Sequence, residues 1–300
     1  MATYAKADLL VDLISVRDFI RYGASQFNAA KLYFGHGTDN AWDEAVQIVC
    51  WAVHLAGFNN PNILDARLTT AEKQQVLEAI DLRIRERIPA AYITGTAIFC
   101  GLEFFVDSRV LVPRSPIAEL IEQHFAPWLP VEPEYILDLC TGSGCIGIAS
   151  ALAFPNSQVV LSDISKDALA VAERNIDKFD LREQVSLCQS DLFANLEGQC
   201  FDLIVSNPPY VDLDDLSEMP AEYQAEPEIG LGSGSDGLDF TRRLLLEAAQ
   251  YLNDGGVLVV EVGNSAGALV SAFPEVPFTW IEFERGGHGV FVLTREQLPG

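Results

Sequence analysis

The chain has 300 residues, of which 43 are acidic and 19 are basic, so its formal net charge is −24 at pH 7, and 49% of the residues are hydrophobic. The hydrophobic fraction is too high for a disordered acidic protein, and the length predicts one large or two modest folded domains. Proteins whose affinity depends on nucleic-acid phosphates usually carry a basic surface, so the charge argues against direct nucleic-acid binding.

Other broad classes are excluded by runs and spacings in the sequence. No apolar run reaches the roughly 20 residues needed to cross a bilayer, and the N-terminal residues lack the basic and apolar regions of a secretory signal. The six cysteines lie far apart without a C-x-x-C pair, and the four histidines are scattered, which predicts neither a disulfide framework nor a metal site. We therefore expect a soluble, reduced, cytoplasmic protein with no membrane partner.

The first hundred residues have helical periodicity. Apolar residues recur every three to four positions over residues 9–20 and again over residues 46–55. A third helical segment begins after capping chemistry at Thr69 and ends near Arg87. The pattern predicts a small helical N-terminal domain over residues 1–95.

A β-hairpin is predicted next along the chain. Aromatic residues flank a Cys100–Gly101 turn within residues 98–112. We expect this hairpin to form a linker over residues 96–114, and residues 115–300 to form the second domain.

The second domain alternates short apolar strands with helices, the first helix lying around Ile117–His124, which is typical of a parallel, doubly wound α/β sheet. The five predicted strands are Tyr135–Leu139, Gln158–Leu161, Val185–Leu187, Phe201–Val205 and Gly256–Val262. Two later strands, Pro277–Phe283 and Val290–Leu293, flank a glycine-rich turn and predict a closing antiparallel hairpin.

The loop after the first of these strands has the pattern of a cofactor site. Gly142, Gly144 and Gly147 satisfy G-x-G-x-x-G, and Asp163 ends the second strand, 21 residues after Gly142. Such glycines let the backbone approach a ligand at a helix N-terminus, and the acidic residue can accept hydrogen bonds from ribose hydroxyls. By itself, this pattern fits NAD as well as S-adenosylmethionine.

Two further features favour S-adenosylmethionine. Asp138 and Thr141 extend the loop to D-x-x-T-G-x-G, and an acid before the glycines suits an ammonium group but would repel a pyrophosphate. After the third strand, Asp191 offers an acceptor for an adenine amine beside the aromatic edge of Phe193. The arrangement resembles the Rossmann-like class I methyltransferases that use S-adenosylmethionine. The cofactor-binding residues predicted in this way are Asp138, Thr141, Gly142, Ser143, Gly144, Asp163, Ile164, Asp191, Leu192, Phe193 and Asn207.

The loop after the fourth strand, Asn207-Pro208-Pro209-Tyr210, is the predicted reaction loop. Ligands of open α/β sheets lie beyond the carboxyl ends of the strands, so this loop should face the cofactor. The Asn207 side-chain oxygen and the Pro208 carbonyl can each accept one N–H of a planar amine, and Tyr210 can pack on its face. The motif occurs in enzymes that methylate adenine or cytosine amines and in enzymes that methylate protein glutamine.

The chain as a whole resembles the protein-glutamine methyltransferases, which have a helical N-terminal domain, a hairpin linker and a methyltransferase fold. The segments Tyr33–Ala45 and Leu111–Leu120 are most similar to the branch that methylates large-subunit ribosomal protein three. The branch that acts on peptide-chain release factors is expected to read Pro-Arg-Pro-Glu-Thr-Glu where this chain has Ser115 and Pro116 after Pro-Arg.

The resemblance implies transfer of a methyl group from S-adenosylmethionine to a glutamine side-chain nitrogen of a basic ribosomal protein. It also implies that the helical domain recognises this substrate and that the catalytic residues are Asn207, Pro208, Pro209 and Tyr210. Release factors remain an alternative substrate. Two less favoured alternatives are nucleic-acid amines and a cofactor-binding ribosome assembly factor without catalytic activity.

The negative charge is concentrated in the second domain, since residues 111–300 hold 9 basic and 30 acidic side chains. No Lys or Arg occurs over residues 183–241, and residues 211–228 contain seven acidic side chains. Ribosomal proteins are typically basic because they bind rRNA, so we expect this surface to attract such a substrate. A merely solubilising surface is the alternative.

Overall fold

The computed structural model describes residues 6–55 and 61–299, and the chain divides into two compact units. The first unit comprises Met1–Thr96 together with Pro220–Ala225, and the second comprises Ala97–Met219 and Glu226–Gly300. A short segment from the second half of the sequence therefore belongs to the first unit.

Within its described residues, the first unit is helical. Its helices are α1 (Lys6–Asp12), α2 (Val16–Ala29), α3 (Ala41–Ala52), α4 (Thr70–Glu86) and α5 (Ala90–Thr94), with a 3-10 turn at Pro61–Asp65. The predicted helix from Thr69 is confirmed as α4, which Thr69 caps. The prediction of one helix over residues 9–20 was wrong, because Ser15 and Asp18 exchange side-chain to backbone hydrogen bonds in a capping box that begins α2.

A buried ionic cluster joins the short segment to these helices. Arg83 is fully buried, and its guanidinium donates to the Glu44 carboxylate and, at 2.9 Å, to the Tyr33 carbonyl. Glu222 forms ion pairs with both arginines of the cluster. Its Oε1 lies 3.4 Å from Arg83 Nη1 and 3.0 Å from Arg87 Nη1. Loss of one partner would leave an uncompensated buried charge, so the cluster anchors residues 220–225 within the first unit.

The predicted hairpin is confirmed but is shorter than expected. Its strands are β1 (Thr96–Phe99) and β2 (Leu102–Phe105), and Cys100 and Gly101 form the turn with φ values of 49° and 71°. The prediction extended to Val112, but the chain leaves the strand conformation after Phe105, and the Val112 N–H instead donates to the Glu226 carboxylate at 3.0 Å.

The second unit contains one seven-stranded sheet with helices around it. After α6 (Ile117–Glu122) its elements are β3 (Tyr135–Leu139), α7 (Cys145–Ala153), β4 (Gln158–Asp163), α8 (Lys166–Lys178), β5 (Val185–Gln189), β6 (Phe201–Ser206), α9 (Leu213–Glu218), α10 (Asp239–Glu247), β7 (Leu252–Glu261), α11 (Ala266–Ala272), β8 (Thr279–Trp280) and β9 (Val290–Thr294). The strand order is β5-β4-β3-β6-β7-β9-β8, and β3 to β7 are parallel. The predicted doubly wound α/β sheet is thus confirmed.

The C-terminal strands differ in detail from the predicted hairpin. β9 is antiparallel to both of its neighbours and lies between β7 and β8. β8 has only two paired residues, Thr279 and Trp280, instead of the predicted Pro277–Phe283. The Phe278 and Trp280 rings pack against Phe291 of β9, with centroids 5.0 and 5.7 Å away, so aromatic packing supports the short strand at this edge.

The order in which the chain adds strands to the sheet reverses between β3 and β6. From β3 the chain proceeds to β4 and β5 on one side, and it then crosses to β6 and β7 on the other. Leu139 and Ser206, the last residues of β3 and β6, are register partners, and the Ser206 hydroxyl donates to the Leu139 carbonyl at 2.8 Å. The two loops that follow these strands therefore start side by side, at the switch point where open α/β sheets bind ligands.

Among the residues that the structure describes, none of the helices is long and apolar enough to cross a membrane. The same residues include no group of three or more His, Cys, Asp or Glu side chains placed to hold a metal ion.

Candidate active site

The three glycines of the loop after β3 have different roles. Gly142 has a φ of +56°, and a Cβ built on it would meet no atom within 4 Å, so its backbone faces open space. A Cβ on Gly144 would lie 3.1 Å from the Ile148 and Leu161 side chains, and one on Gly147 would collide with Leu161. Gly142 is therefore the glycine that a ligand can approach, whereas Gly144 and Gly147 allow α7 to pack on the sheet. The cofactor contact of Gly144 stays a prediction.

Asp138 lies fully buried behind this loop. Its Oδ2 accepts hydrogen bonds from the Thr141 hydroxyl at 2.6 Å and from the Gly147 N–H at 2.8 Å, which hold the loop closed. Its Oδ1 is buried and accepts no hydrogen bond from the described residues. Burial raises the pKa of this carboxyl to about 7, although its two hydrogen bonds act in the opposite direction.

Ser143 and Thr141 also build the loop from within, because both side chains are buried. The Ser143 carbonyl accepts a hydrogen bond at 2.8 Å from the side-chain amide of Asn175, which also donates to the Phe105 carbonyl at 2.9 Å. Asn175 thus ties the hairpin to the cofactor loop, a role that the sequence analysis missed. The buried side chains of Thr141 and Ser143 shape the loop, and the cofactor contacts of these two residues stay a prediction.

Asp163 is the last residue of β4 and stands beside Gly142. Its Oδ2 accepts the Gly142 N–H at 3.0 Å, and its Oδ1 accepts the Ser165 N–H at 2.9 Å. Burial raises the pKa of Asp163, and these backbone hydrogen bonds act in the opposite direction. A carboxylate has about four acceptor positions, so each oxygen can accept a further hydrogen bond. Ile164 follows with half of its surface exposed, 50%, which leaves an apolar side chain at the edge of the site.

The loop after β5 agrees only in part with the prediction. Asp191 is exposed, with its Oδ1 2.9 Å from Nη1 of Arg243. Leu192 and Phe193 are buried in the core, and the Phe193 ring stacks on Tyr251 with centroids 4.2 Å apart. Stacking and burial therefore hold the Phe193 ring inside the core, and a contact of this residue with the cofactor stays a prediction.

The reaction loop begins at Asn207, directly after β6. Asn207 is half-buried, and its side-chain amide forms no hydrogen bond with the described residues, while Pro208 beside it is buried. Tyr210 is held closely, since its carbonyl accepts a hydrogen bond from the Ser265 hydroxyl at 2.7 Å. A Cβ on Gly263 would lie 2.6 Å from the Tyr210 ring, so only glycine allows this packing.

Glu261 supports Tyr210 and was missed by the sequence analysis. This buried carboxylate ends β7, accepts the Tyr210 hydroxyl at 3.1 Å and accepts the Ser115 hydroxyl at 2.5 Å. Burial raises the pKa of Glu261 to about 7, against the opposing influence of these hydrogen bonds and of Arg114. Its position could have indicated a functional role, because Glu261 is an acidic residue at the carboxyl end of a buried apolar strand.

Arg114 forms a bidentate ion pair with buried Glu226, and the two N–H to oxygen distances are both 2.6 Å. This geometry gives Arg114 a structural partner within the second unit.

Residues 119–221 match the family model of the methyltransferase small domain. The structure is similar to that of the hMettl16 catalytic domain in complex with MAT2A 3'UTR hairpin 1, with a TM-score of 0.50 and 14% identity, covering 92% of this chain and 90% of that chain. The fold and its two adjacent loops define a class I methyltransferase.

Two curated relatives extend the similarity over nearly the whole chain. A ribosomal protein uL3 glutamine methyltransferase from Francisella tularensis subsp. tularensis is 49% identical over 97% of this chain and 93% of the relative. One from Neisseria gonorrhoeae is 50% identical over 96% of this chain and 97% of the relative. The chain therefore belongs to the family of ribosomal protein uL3 glutamine methyltransferases, which confirms the resemblance to the branch that acts on ribosomal protein three.

Enzymes of this class use S-adenosylmethionine as the methyl donor, and the residues of the site fit it. The open space at Gly142 allows close approach to the backbone, and the Asp163 carboxylate beside it suits ribose hydroxyls. The buried Oδ1 of Asp138 accepts no hydrogen bond from the described residues, and an acceptor without a partner suits an ammonium group.

Proposed function

We propose that this enzyme transfers a methyl group from S-adenosylmethionine to the side-chain amide nitrogen of a glutamine in uL3, the large-subunit ribosomal protein three. The observation that carries the chemistry is the position of the Asn207 amide, which forms no hydrogen bond of its own and follows β6 beside the cofactor loop. The two relatives, which are 49% and 50% identical to this chain, are uL3 glutamine methyltransferases, and this supports the choice of substrate.

The proposed roles of the reaction loop follow from the chemistry of an amide nitrogen. Its lone pair is delocalised, so it is a weak nucleophile. The Asn207 side-chain oxygen and the Pro208 carbonyl each accept one of its N–H groups and orient the nitrogen, and Pro208 and Pro209 stiffen these acceptors because their φ angles are fixed. Tyr210 packs on the planar amide. Orientation at near-attack distance supplies much of the rate.

S-adenosylmethionine supplies an electrophilic methyl group on its sulfonium. The new carbon–nitrogen bond forms with the nitrogen lone pair while the carbon–sulfur bond breaks and its electrons stay on sulfur. The methylated nitrogen is acidic and loses one proton to water, so a strong base is not required. Asn207 and Pro208 hold the amide before and after this transfer.

The proposed cofactor contacts are those that the geometry leaves accessible. The Gly142 backbone approaches the ligand, the Asp163 carboxylate accepts from the ribose hydroxyls, and Ile164 packs its exposed side chain on the adenine. Asp191 accepts from the adenine amine, and Asp138 provides the counter-charge for the ammonium group from behind the loop.

We further propose that the helical unit selects the substrate. Similarity to the uL3 methyltransferases covers this unit, whereas the methyltransferase small-domain model matches only residues 119–221. Trp42 is 43% exposed on α3, and such an aromatic side chain suits a protein interface. Trp42→Ser is expected to raise the KM for uL3 and to leave the affinity for S-adenosylmethionine unchanged. If calorimetry shows that Trp42→Ser is folded and its KM for uL3 equals that of the wild type, this role is refuted.

The cytoplasm is the proposed location of the enzyme, because ribosomal proteins are synthesised and assembled there. We also propose that the enzyme contacts the protein substrate and not nucleic acid. The net charge of −24 supports this, because an acidic surface repels phosphates.

The test compares two substrates in parallel. Purified unmethylated uL3 and an unmethylated release factor are incubated with labelled S-adenosylmethionine, and kcat/KM is measured for each. We expect efficient transfer to uL3 alone, with Asn207→Ala as the inactive control. Preferential labelling of the release factor would replace the proposed substrate, and absence of labelling on both would refute the proposed function.

A further inference from the structure

The segment that follows the reaction loop in the sequence lines a groove. Its volume is about 360 Å³, and it is lined by Leu213, Leu216, Glu228, Ile229, Gly232 and Gly234. Leu213 is 59% exposed and Ile229 is 60% exposed, so two large apolar side chains face solvent across it. A Cβ on Gly232 would lie 3.3 Å from the Leu216 side chain, so this glycine keeps the floor of the groove open.

The groove is fixed to the reaction loop by backbone hydrogen bonds. Val211 immediately follows Tyr210, and its N–H donates to the Leu231 carbonyl at 2.9 Å. The Val211 carbonyl in turn accepts the Ser233 N–H at 2.9 Å. These bonds connect the residue after Tyr210 to the segment that carries Ile229 and Gly232 of the groove.

The surroundings of the groove are acidic. Asp214, Asp215 and Glu218 are exposed on α9 and form no ion pair with the described residues, and Glu228 lines the groove itself. The sequence contains no Lys or Arg between residues 183 and 241. Two of the seven acids counted in the sequence analysis are not part of this surface, because Glu222 and Glu226 are buried in ion pairs.

We propose that this groove docks the basic segment that carries the target glutamine, with one apolar side chain of that segment seated between Leu213 and Ile229 and flanking Lys or Arg side chains facing the acidic rim. The inference rests on the proposed function and adds the surface that recognises the substrate. Charge complementarity supports this occupant, because ribosomal proteins carry the basic side chains needed to bind rRNA.

The experiment separates the apolar and the electrostatic contributions. One variant is Leu213→Ser with Ile229→Ser, and a second is Asp214→Lys with Asp215→Lys. Leu246→Ser is a single apolar control, since Leu246 is 56% exposed on α10, and Glu275→Lys is a single charge-reversal control at another exposed position. Kinetics are measured with purified unmethylated uL3 at several salt concentrations, and the affinity for S-adenosylmethionine is measured by calorimetry.

We expect each groove variant to raise the KM for uL3 by about ten-fold or more, the effect of losing one well-seated anchor, with cofactor affinity and melting temperature unchanged. The charge variant should also flatten the salt dependence of kcat/KM, because its rim no longer steers a basic substrate. Both controls should keep the wild-type kcat/KM.

Three results would overturn the proposal. If the wild-type enzyme methylates uL3 and both groove variants keep the wild-type KM, the docking surface is refuted and the proposed function stands. An altered oligomeric state in those variants with an unchanged KM would show that a second copy of the chain occupies the groove. Absence of uL3 methylation by the wild-type enzyme would refute the proposed function, and the docking inference with it.

Discussion

Substitution of Glu261 by glutamine should change how the stability of the enzyme depends on pH. Glu261 is buried at the end of β7, where its carboxylate accepts the Ser115 and Tyr210 hydroxyls. Glutamine has nearly the same shape, accepts from one hydroxyl and donates to the other, but does not titrate. Glu261→Gln therefore removes the ionisation and keeps the packing.

The magnitude follows from the pKa. Burial raises the pKa of Glu261 from 4.5 to about 7 in the folded protein, so the folded state retains a proton that the unfolded state has already lost. The free energy of unfolding of the wild type therefore falls as the pH rises from 4.5 towards 7. The ionisation of Glu261 accounts for a loss of about 3 kcal/mol between about pH 4 and about pH 8.

The assay is urea unfolding of both proteins at a series of pH values. The free energy of unfolding of Glu261→Gln, minus that of the wild type, is expected to grow by about 3 kcal/mol over this interval. Asp138 also titrates near pH 7, but its contribution is common to both proteins and cancels in the difference. Glu197→Gln, at an exposed position, is the control and should stay close to the wild type throughout. A difference that does not vary with pH would refute the buried ionisation.

Two further predictions concern the proposed contacts with cofactor and substrate. Asp163→Ala should weaken S-adenosylmethionine binding by about ten-fold or more in calorimetry, because each lost charge-assisted hydrogen bond costs about 1.5–3 kcal/mol, and unchanged affinity would contradict the ribose contact. Asn207→Ala should nearly abolish turnover on uL3 while cofactor affinity and melting temperature stay close to the wild type. Wild-type turnover in that variant would remove the orienting role, and Asn207→Asp provides the finer comparison, because it keeps an acceptor oxygen but adds charge.

The sheet was predictable because its strands are short apolar runs between helices: the first run coincides with β3, and the ends of the others lie within four residues of those of β4 to β7. The position of β9 between β7 and β8 was not, because strand order depends on contacts between distant parts of the chain. The break at Ser15 was missed because the apolar period continues across it, although Ser15 and Asp18 have the spacing of a capping box.

The candidate site was predictable where function lies in a local motif and not where it depends on packing. The glycine pattern located the loop, but only coordinates distinguish Gly142, which faces open space, from Gly144, which packs against α7 and the sheet. The sequence around Phe193 does not show which way its ring faces, and in the structure the ring stacks on Tyr251. Glu261 lies 51 residues from Tyr210, so no motif joins them.

The central claim is that a glutamine side chain of uL3 receives the methyl group. The most direct measurement is tandem mass spectrometry of unmethylated uL3 after incubation with the enzyme and labelled S-adenosylmethionine. We predict a single labelled methyl group on the side-chain nitrogen of one glutamine, and none with Asn207→Ala. A label on a lysine, an arginine or the N-terminus of uL3, or on copurifying RNA, would contradict the claim.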